Sequence, residues 1–264
     1  MSTTVLKAVV RRMAPRSRYD GRVVFLHLAK AAGTSTEAAI GAALGRPRRF
    51  YLDPFASKAA ADAMGQSMEA FRQHILLYAL AHRNVDFIAG HLPWSRHAEG
   101  AKRPGDLFLT VLRHPYARLL SLYHFSRYRG GDRGHLAHEQ DLHEWLDWRE
   151  REVLIPDFVR FFSGHTTDEL IAEAGSVEAA RRLGAERAIA VLRRLDIVGE
   201  ITRLPEVEAR FREMTGLTLR HPQKRRSPVT YAPFEEQPRD VRRIVERHLA
   251  GDMEVYAAAF PARV

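Results

Sequence analysis

Residues 22–40 read RVVFLHLAKAAGTSTEAAI, and three kinds of residue follow one another along them. Val23, Val24, Phe25 and Leu26 form a short apolar run of β-branched, aromatic and aliphatic side chains, the pattern of a strand covered on both faces. Ala31, Ala32 and Gly33 are small enough for a tight turn. Thr34, Ser35 and Thr36 stand where a helix begins, ahead of the helix-forming residues 37–40. Backbone N–H groups and the positive end of the helix dipole would converge at that turn, with Lys30 adding a full charge and the hydroxyls adding donors. The stretch therefore suits a phosphate or a similar oxyanion. It is not a Walker A loop, because GxxxxGK[ST] places the lysine after the last glycine and here Lys30 precedes Gly33. An ordinary ATP or GTP loop is disfavoured, while a plain strand-to-helix turn with an incidental lysine stays open on this segment alone.

Outward from this stretch, the chain alternates apolar runs with helical periodicity. Residues 45–54 are rich in Pro, Gly and Arg and read as a loop; residues 57–83 read as mostly helical, with Phe71, Ile75, Leu76 and Leu80 at helical spacing and Gly65 as a break. Residues 85–89 are a second strand candidate running into Gly90-His91-Leu92-Pro93, so His91 falls just past a strand end, the edge where open parallel sheets bind ligands. His27 is placed inside the first strand as a core or supporting residue. Residues 106–112 (DLFLTVL) form a third buried strand that runs into Arg113-His114-Pro115, and Pro115 suits the first turn of a helix carrying Ser121. Further helices are expected over 141–151, 156–164, 177–194, 204–214 and 240–259, with a fourth strand at 195–200. Trp145 and Trp148 read as packing residues. Residues 130–138 are a polar, glycine-rich loop, and 216–237 a long irregular segment holding Lys224 and Arg225 between two helices. His135, His138 and His143 lack the spacing of a metal site.

The chain has 264 residues, 45% of them hydrophobic, enough for one sizeable core, and no linker divides it; residues 1–21 read as an N-terminal extension and 22–264 as one domain. A formal charge of +9 favours anionic partners such as nucleotide phosphates, acidic glycans, nucleic acid or an anionic membrane. Zero cysteines exclude a disulfide framework, a thiolate zinc site and a cysteine nucleophile, and fit a reducing compartment. No apolar run reaches the ~18 residues of a membrane span, so a soluble, cytoplasmic protein is expected. Residues 5–13 could at most form a short basic amphipathic helix in weak peripheral contact with a membrane.

These motifs, in their order, resemble the carbohydrate sulfotransferases, most closely the branch of heparan sulfate 2-O- and 6-O-sulfotransferases and their bacterial relatives. That branch reads H-x-P-K-T-G-G-T-[ST] where this chain has His27-Leu28-Ala29-Lys30-Ala31-Ala32-Gly33-Thr34-Ser35. Its L-R-D-P-x-x-R-x-x-S-x-Y motif is matched by Leu112, Arg113, Pro115, Arg118, Ser121 and Tyr123 with spacing intact, and its G-H-x-P by Gly90-His91-Leu92-Pro93. Val198-Gly199-Glu200 resembles a weaker signature. The likeness runs from about Val23 to Tyr256. Ala29, Ala31, Ala32 and His114 depart from the pattern, standing for proline, threonine, glycine and aspartate; alanine is small but takes positive φ less readily than glycine.

The resemblance implies a three-layer, P-loop-like α/β fold with a central, mostly parallel sheet flanked by helices. It implies a PAPS-dependent sulfotransferase that moves a sulfuryl group in line from 3′-phosphoadenosine 5′-phosphosulfate (PAPS) to a hydroxyl of a carbohydrate or glycoconjugate acceptor. Lys30 through Thr36, that is Lys30, Ala31, Ala32, Gly33, Thr34, Ser35 and Thr36, would hold the 5′-phosphosulfate. Arg113 and Ser121 would hold the 3′-phosphate, helped by Lys224 and Arg225. Lys30 would offset charge on the leaving oxygen, and His91 would act as the base; no metal is implied. The acceptor could be acidic, and nucleic acid is a disfavoured partner. The rival readings are a non-catalytic anion- or glycan-binding protein on a degenerate sulfotransferase fold and, less favoured, a nucleotide kinase.

Overall fold

The computed structural model describes residues 17–129, 140–221 and 232–261. Its centre is a five-stranded sheet in the order β2-β3-β1-β4-β5, formed by β1 (Val23–Leu26), β2 (Arg49–Tyr51), β3 (Phe87–Gly90), β4 (Leu107–Leu112) and β5 (Ile197–Glu200). All of its pairings are parallel, with Val23 opposite both Phe87 and Leu107. Parallel neighbours need crossover connections, and helices supply them.

Side chains alternate across each strand, so the sheet has two apolar faces. Val24, Leu26, Ile88, Phe108 and Leu112 pack with α3 (Met68–Ala81), α6 (Asp157–Phe162), α8 (Val177–Leu192) and α10 (Arg239–Ala259). Val23, Phe25, Phe87, Leu107 and Leu109 pack on the other face with α1 (Gly33–Leu44) and α9 (Leu204–Thr215). Helix, sheet and helix make the three layers read from the sequence. A third apolar cluster joins α4 (Pro115–Arg129) and α5 (Leu142–Glu152) to the first half of α10.

Several boundaries shift, each for a local reason. The 45–54 segment is not all loop: β2 lies within it as an edge strand whose residues are half-buried or exposed, so no apolar run marks it. The 57–83 region breaks at Gly65 as expected, where φ is 63°, and its start moves to Pro54, giving α2 (Pro54–Ala63) and α3. A further helix, α7 (Thr167–Ala174), lies between Thr166, whose hydroxyl shares a capping box with Glu169, and Gly175 at φ 76°. Trp145 is buried, while Trp148 is exposed. His27 lies one residue past β1.

The order of the strands fixes where a ligand can bind. The chain leaves β1 for β2 on one side and leaves β4 for β5 on the other, yet β1 and β4 are neighbours. Connections that diverge from adjacent strands open a crevice at the strands' C-terminal ends. The β1–α1 turn and Arg113 both flank it.

Candidate functional site

The β1–α1 turn is held in a conformation that L-residues avoid. Lys30 has φ 69° and Ala32 φ 59°, and the left-handed region costs a non-glycine residue roughly 1–2 kcal/mol. Ala32, at the position of the first motif glycine, thus adopts the backbone shape a glycine would take more cheaply. It is also the N-cap of α1, and no side chain caps the helix there. The amides of the first turn remain available to an anion in a way that a serine or aspartate cap would prevent.

Gly33 is required by its neighbour. A Cβ built on it would lie 1.4 Å from His27 Nε2, so the imidazole fills the space a side chain would need. The His27 ring stacks on Phe25 with centroids 5.5 Å apart and meets His91 at 4.4 Å. Burial, and then the proximity of His91, push His27 down to about 3, so it is neutral at physiological pH. His91 Nδ1 lies 2.8 Å from the His27 carbonyl oxygen. A carbonyl only accepts, so Nδ1 carries a proton, and in the neutral ring the lone pair is then on Nε2, the form a general base needs.

Helix α4 completes the crevice. Arg118, Ser121 and Phe125 are spaced by three and four residues and share a helix face. Arg118 Nε donates to the Ala29 carbonyl at 2.9 Å, and Lys30 Nζ lies 4.0 Å from the centre of the Phe125 ring. With its neighbours above and below both turned to the β1–α1 turn, Ser121 is on the face that looks at Lys30. Arg113 is half-buried at the end of β4, beside β1. Lys30, Gly33, His91, Arg113 and Ser121 are therefore gathered at one edge of the sheet. His114, the departure from aspartate, packs edge-on against Tyr256 at 5.3 Å, whose hydroxyl donates to Glu200 at 2.8 Å.

The three hydroxyls of the turn have different surroundings. Ser35 donates to the Ala32 carbonyl at 2.9 Å, and Thr34 is exposed. Thr36 is fully buried, 3.2 Å from His221 Nε2, while His221 Nδ1 faces Glu208 at 2.8 Å. Thr36 is thus turned into the fold, and its amide already donates to the Ala32 carbonyl at 3.0 Å, so neither its hydroxyl nor its N–H is offered to a ligand.

Lys224 and Arg225 lie outside the described residues, as do His135 and His138. His143 sits between Asp147 and Asp240, at 3.5 and 3.4 Å. Among the described residues no three His, Asp or Glu side chains are grouped as metal ligands would be. A separate cleft of about 300 Å³ runs along β5 and α9, lined by Glu200, Arg203 and Phe260 among others. It lies at the edge strand, with β4 between it and β1.

Reading the sequence did not assign a role to Arg118, although it falls in the motif, and did not single out Asp157, Glu208 or His221. The partners of Arg118 and Thr36 are 39, 89 and 185 residues away in the chain, and only folding brings them together. No family model and no curated protein sequence matches the chain.

Proposed function

We propose that the protein is a sulfotransferase that takes a sulfuryl group from 3′-phosphoadenosine 5′-phosphosulfate and passes it by in-line displacement to a hydroxyl of a carbohydrate or glycoconjugate. The observation that carries this reading is the meeting, at the β1/β4 crevice, of the Lys30 turn, the strand-end His91 and the α4 face bearing Ser121. An adenosine carrier with phosphates at both ends fits residues of this kind: an uncapped helix N-terminus with a lysine at one end, an arginine and a serine at the other.

In this reading the amides of residues 31–35 and Lys30 bind the 5′ end, and Arg113 and Ser121 bind the 3′-phosphate; the Thr36 amide is already given to the Ala32 carbonyl. Lys224 and Arg225, beyond the described residues, would add charge. The donor supplies an activated sulfur, and transfer then depends on position and on offsetting charge. Lys30 neutralises charge on the oxygen from which sulfur departs. His91, protonated at Nδ1, takes the acceptor's hydroxyl proton at Nε2. The net positive charge suits an acidic saccharide better than a neutral one. The absence of cysteine suits work in the cytoplasm. Among the described residues no helix is long and apolar enough to cross a membrane.

Incubation with 35S-labelled PAPS and a panel of glycans tests the reading. Label should appear in a saccharide, and its rate of appearance should fall about 10²-fold or more in Lys30→Ala and His91→Ala. Binding of 3′-phosphoadenosine 5′-phosphate with no transfer to any acceptor would favour the non-catalytic binding protein; dependence on ATP and Mg²⁺ would favour a kinase.

A further inference from the structure

The β1–α1 turn is tied to a buried ionic cluster in the helical layer. Arg118 is 3% exposed and spends its guanidinium in two directions: Nε donates to the Ala29 carbonyl at 2.9 Å, and Nη1 to Asp157 at 2.8 Å. Asp157, at the start of α6, also receives Arg149 from α5 and Arg160 from its own helix. Although burial opposes ionisation, Arg149, Arg118 and Arg160 hold its carboxyl well below the usual carboxylate range. Asp252 of α10 accepts from the amides of Phe158 and Val159, at 2.7 and 3.3 Å, which fixes the end of α6 that carries Asp157. Arg149 Nε in turn reaches His248 of α10 at 3.2 Å.

Two contacts from α4 thus bracket the strained residue. Arg118 grips the carbonyl just before Lys30, and Phe125 lies under the Lys30 ammonium. A non-glycine residue stays left-handed only where its surroundings over-determine it. Each of these contacts comes from the same helix, and the deeper of them is locked to Asp157.

We infer that Arg118, anchored by Asp157, is a positioning residue that holds the Lys30 turn in its left-handed shape and so sets the donor-binding end of the crevice. The inference rests on the sulfotransferase reading for what the turn binds, but not for how the turn is held. Arginine is needed because one planar fork must serve a carbonyl and a carboxylate at once; a lysine ammonium keeps the ion pair and loses the second bond.

Native-state digestion with a lysine-specific endoprotease reads the turn directly. Cleavage at Lys30–Ala31 requires local opening, since Ala31 is 1% exposed, and cleavage at Lys58–Ala59 and Lys102–Arg103 reports on the rest of the fold. Arg118→Met leaves Asp157 with Arg149 and Arg160, so the cluster stays paired. This variant should speed Lys30–Ala31 cleavage at least tenfold, with the other two sites unchanged, and weaken 3′-phosphoadenosine 5′-phosphate at least tenfold in calorimetry. Arg118→Lys should also loosen the turn while keeping the wild-type melting temperature. Asp157→Asn should act as Arg118→Met does; if it instead unfolds the protein, all three sites speed up together and the two Arg118 variants decide. Wild-type cleavage at Lys30–Ala31 in both Arg118 variants overturns the inference. A loosened turn in a protein that never binds the nucleotide leaves the positioning role standing and removes the donor reading.

Discussion

The two ends of the parallel sheet use charge in opposite ways. At the N-terminal end, Arg22 of one strand start is buried against Asp106 of the next and donates to the Leu80 carbonyl at 2.6 Å. Asp106 also takes the Arg103 amide at 2.9 Å, and Asp196 takes the Phe108 amide at 2.7 Å and sits 3.3 Å from Lys102. The charged groups there close on other groups of the fold, although the buried Arg22 Nε has no hydrogen-bond partner. At the C-terminal end the backbone is left-handed at Lys30 and Ala32, the first turn of α1 has no side-chain cap, and the His27 backbone carbonyl orients His91. The first end locks strands together; the second carries strain and an uncapped helix dipole, costs a fold tolerates where a ligand repays them.

If that contrast is right, damage at the two ends should differ in kind as well as size. Lys30→Ala should lower the rate of sulfuryl transfer about 10²–10³-fold, the loss expected when one charge-stabilising group is removed, with a melting temperature near wild type. Asp106→Ala should instead leave Arg22 buried and unpaired and cost about 3–5 kcal/mol in urea unfolding, with nucleotide affinity of the folded fraction unchanged. A large stability loss in the first variant, or a large affinity loss in the second, would erase the distinction.

Gly33→Ala probes where the two kinds of damage meet. Its Cβ would strike the His27 ring, so about 1–3 kcal/mol of overpacking is expected. Displacing His27 moves the carbonyl that orients His91, so transfer should fall more than stability does, as read by kcat against urea midpoint. His27→Ala in the Gly33→Ala background should relieve the clash and, because alanine keeps the carbonyl that orients His91, recover turnover together with part of the stability.

The smallest effect lies in the pH dependence of stability. His27 and His248 are pushed down to about 3 and about 4, chiefly by burial, so the unfolded chain binds more protons below pH 6.5 and acid destabilises the fold through them. Glu69 and Asp252 are pushed up to about 7, again chiefly by burial, so the folded chain binds more protons between their unfolded values and 7, and acid stabilises it through them. The two pairs oppose each other between about pH 4.5 and 6.5. Asp252→Asn keeps an oxygen for the Phe158 and Val159 amides and removes one opposing group. Its stability in urea should fall with acid more steeply than wild type in that window, by up to about 1.4 kcal/mol per pH unit. An unchanged slope would mean that Asp252 does not take up a proton there.

How far the sequence alone reached follows the range of the interactions. Strands β1 and β4 are apolar because both faces are covered and their runs are visible locally, while β3 and β5 show shorter ones, Phe87-Ile88-Ala89 and Ile197-Val198, before a glycine. Edge strand β2 has exposed Tyr51 and half-buried Phe50 among arginines, and only its pairing with β3 makes it a strand. The turn's composition led to the expectation of an anion site, and the spacing of Arg113, Pro115, Arg118 and Ser121 to that of a second segment of it. That Ala32 would accept a positive φ, that Thr36 would turn inward to His221, and that Arg118 would be consumed by Ala29 and Asp157 are outcomes of packing between distant elements. No local pattern encodes them.

Calorimetric titration of 3′-phosphoadenosine 5′-phosphate against adenosine 5′-phosphate, in wild type and in Arg113→Ala, tests the crevice most directly. One site is expected, with the doubly phosphorylated nucleotide bound at least tenfold more tightly and that preference lost in Arg113→Ala. Equal affinity for the two nucleotides in the wild type, or a preference that survives the substitution, would contradict the placement of Arg113 opposite the Lys30 turn as the two grips on one carrier.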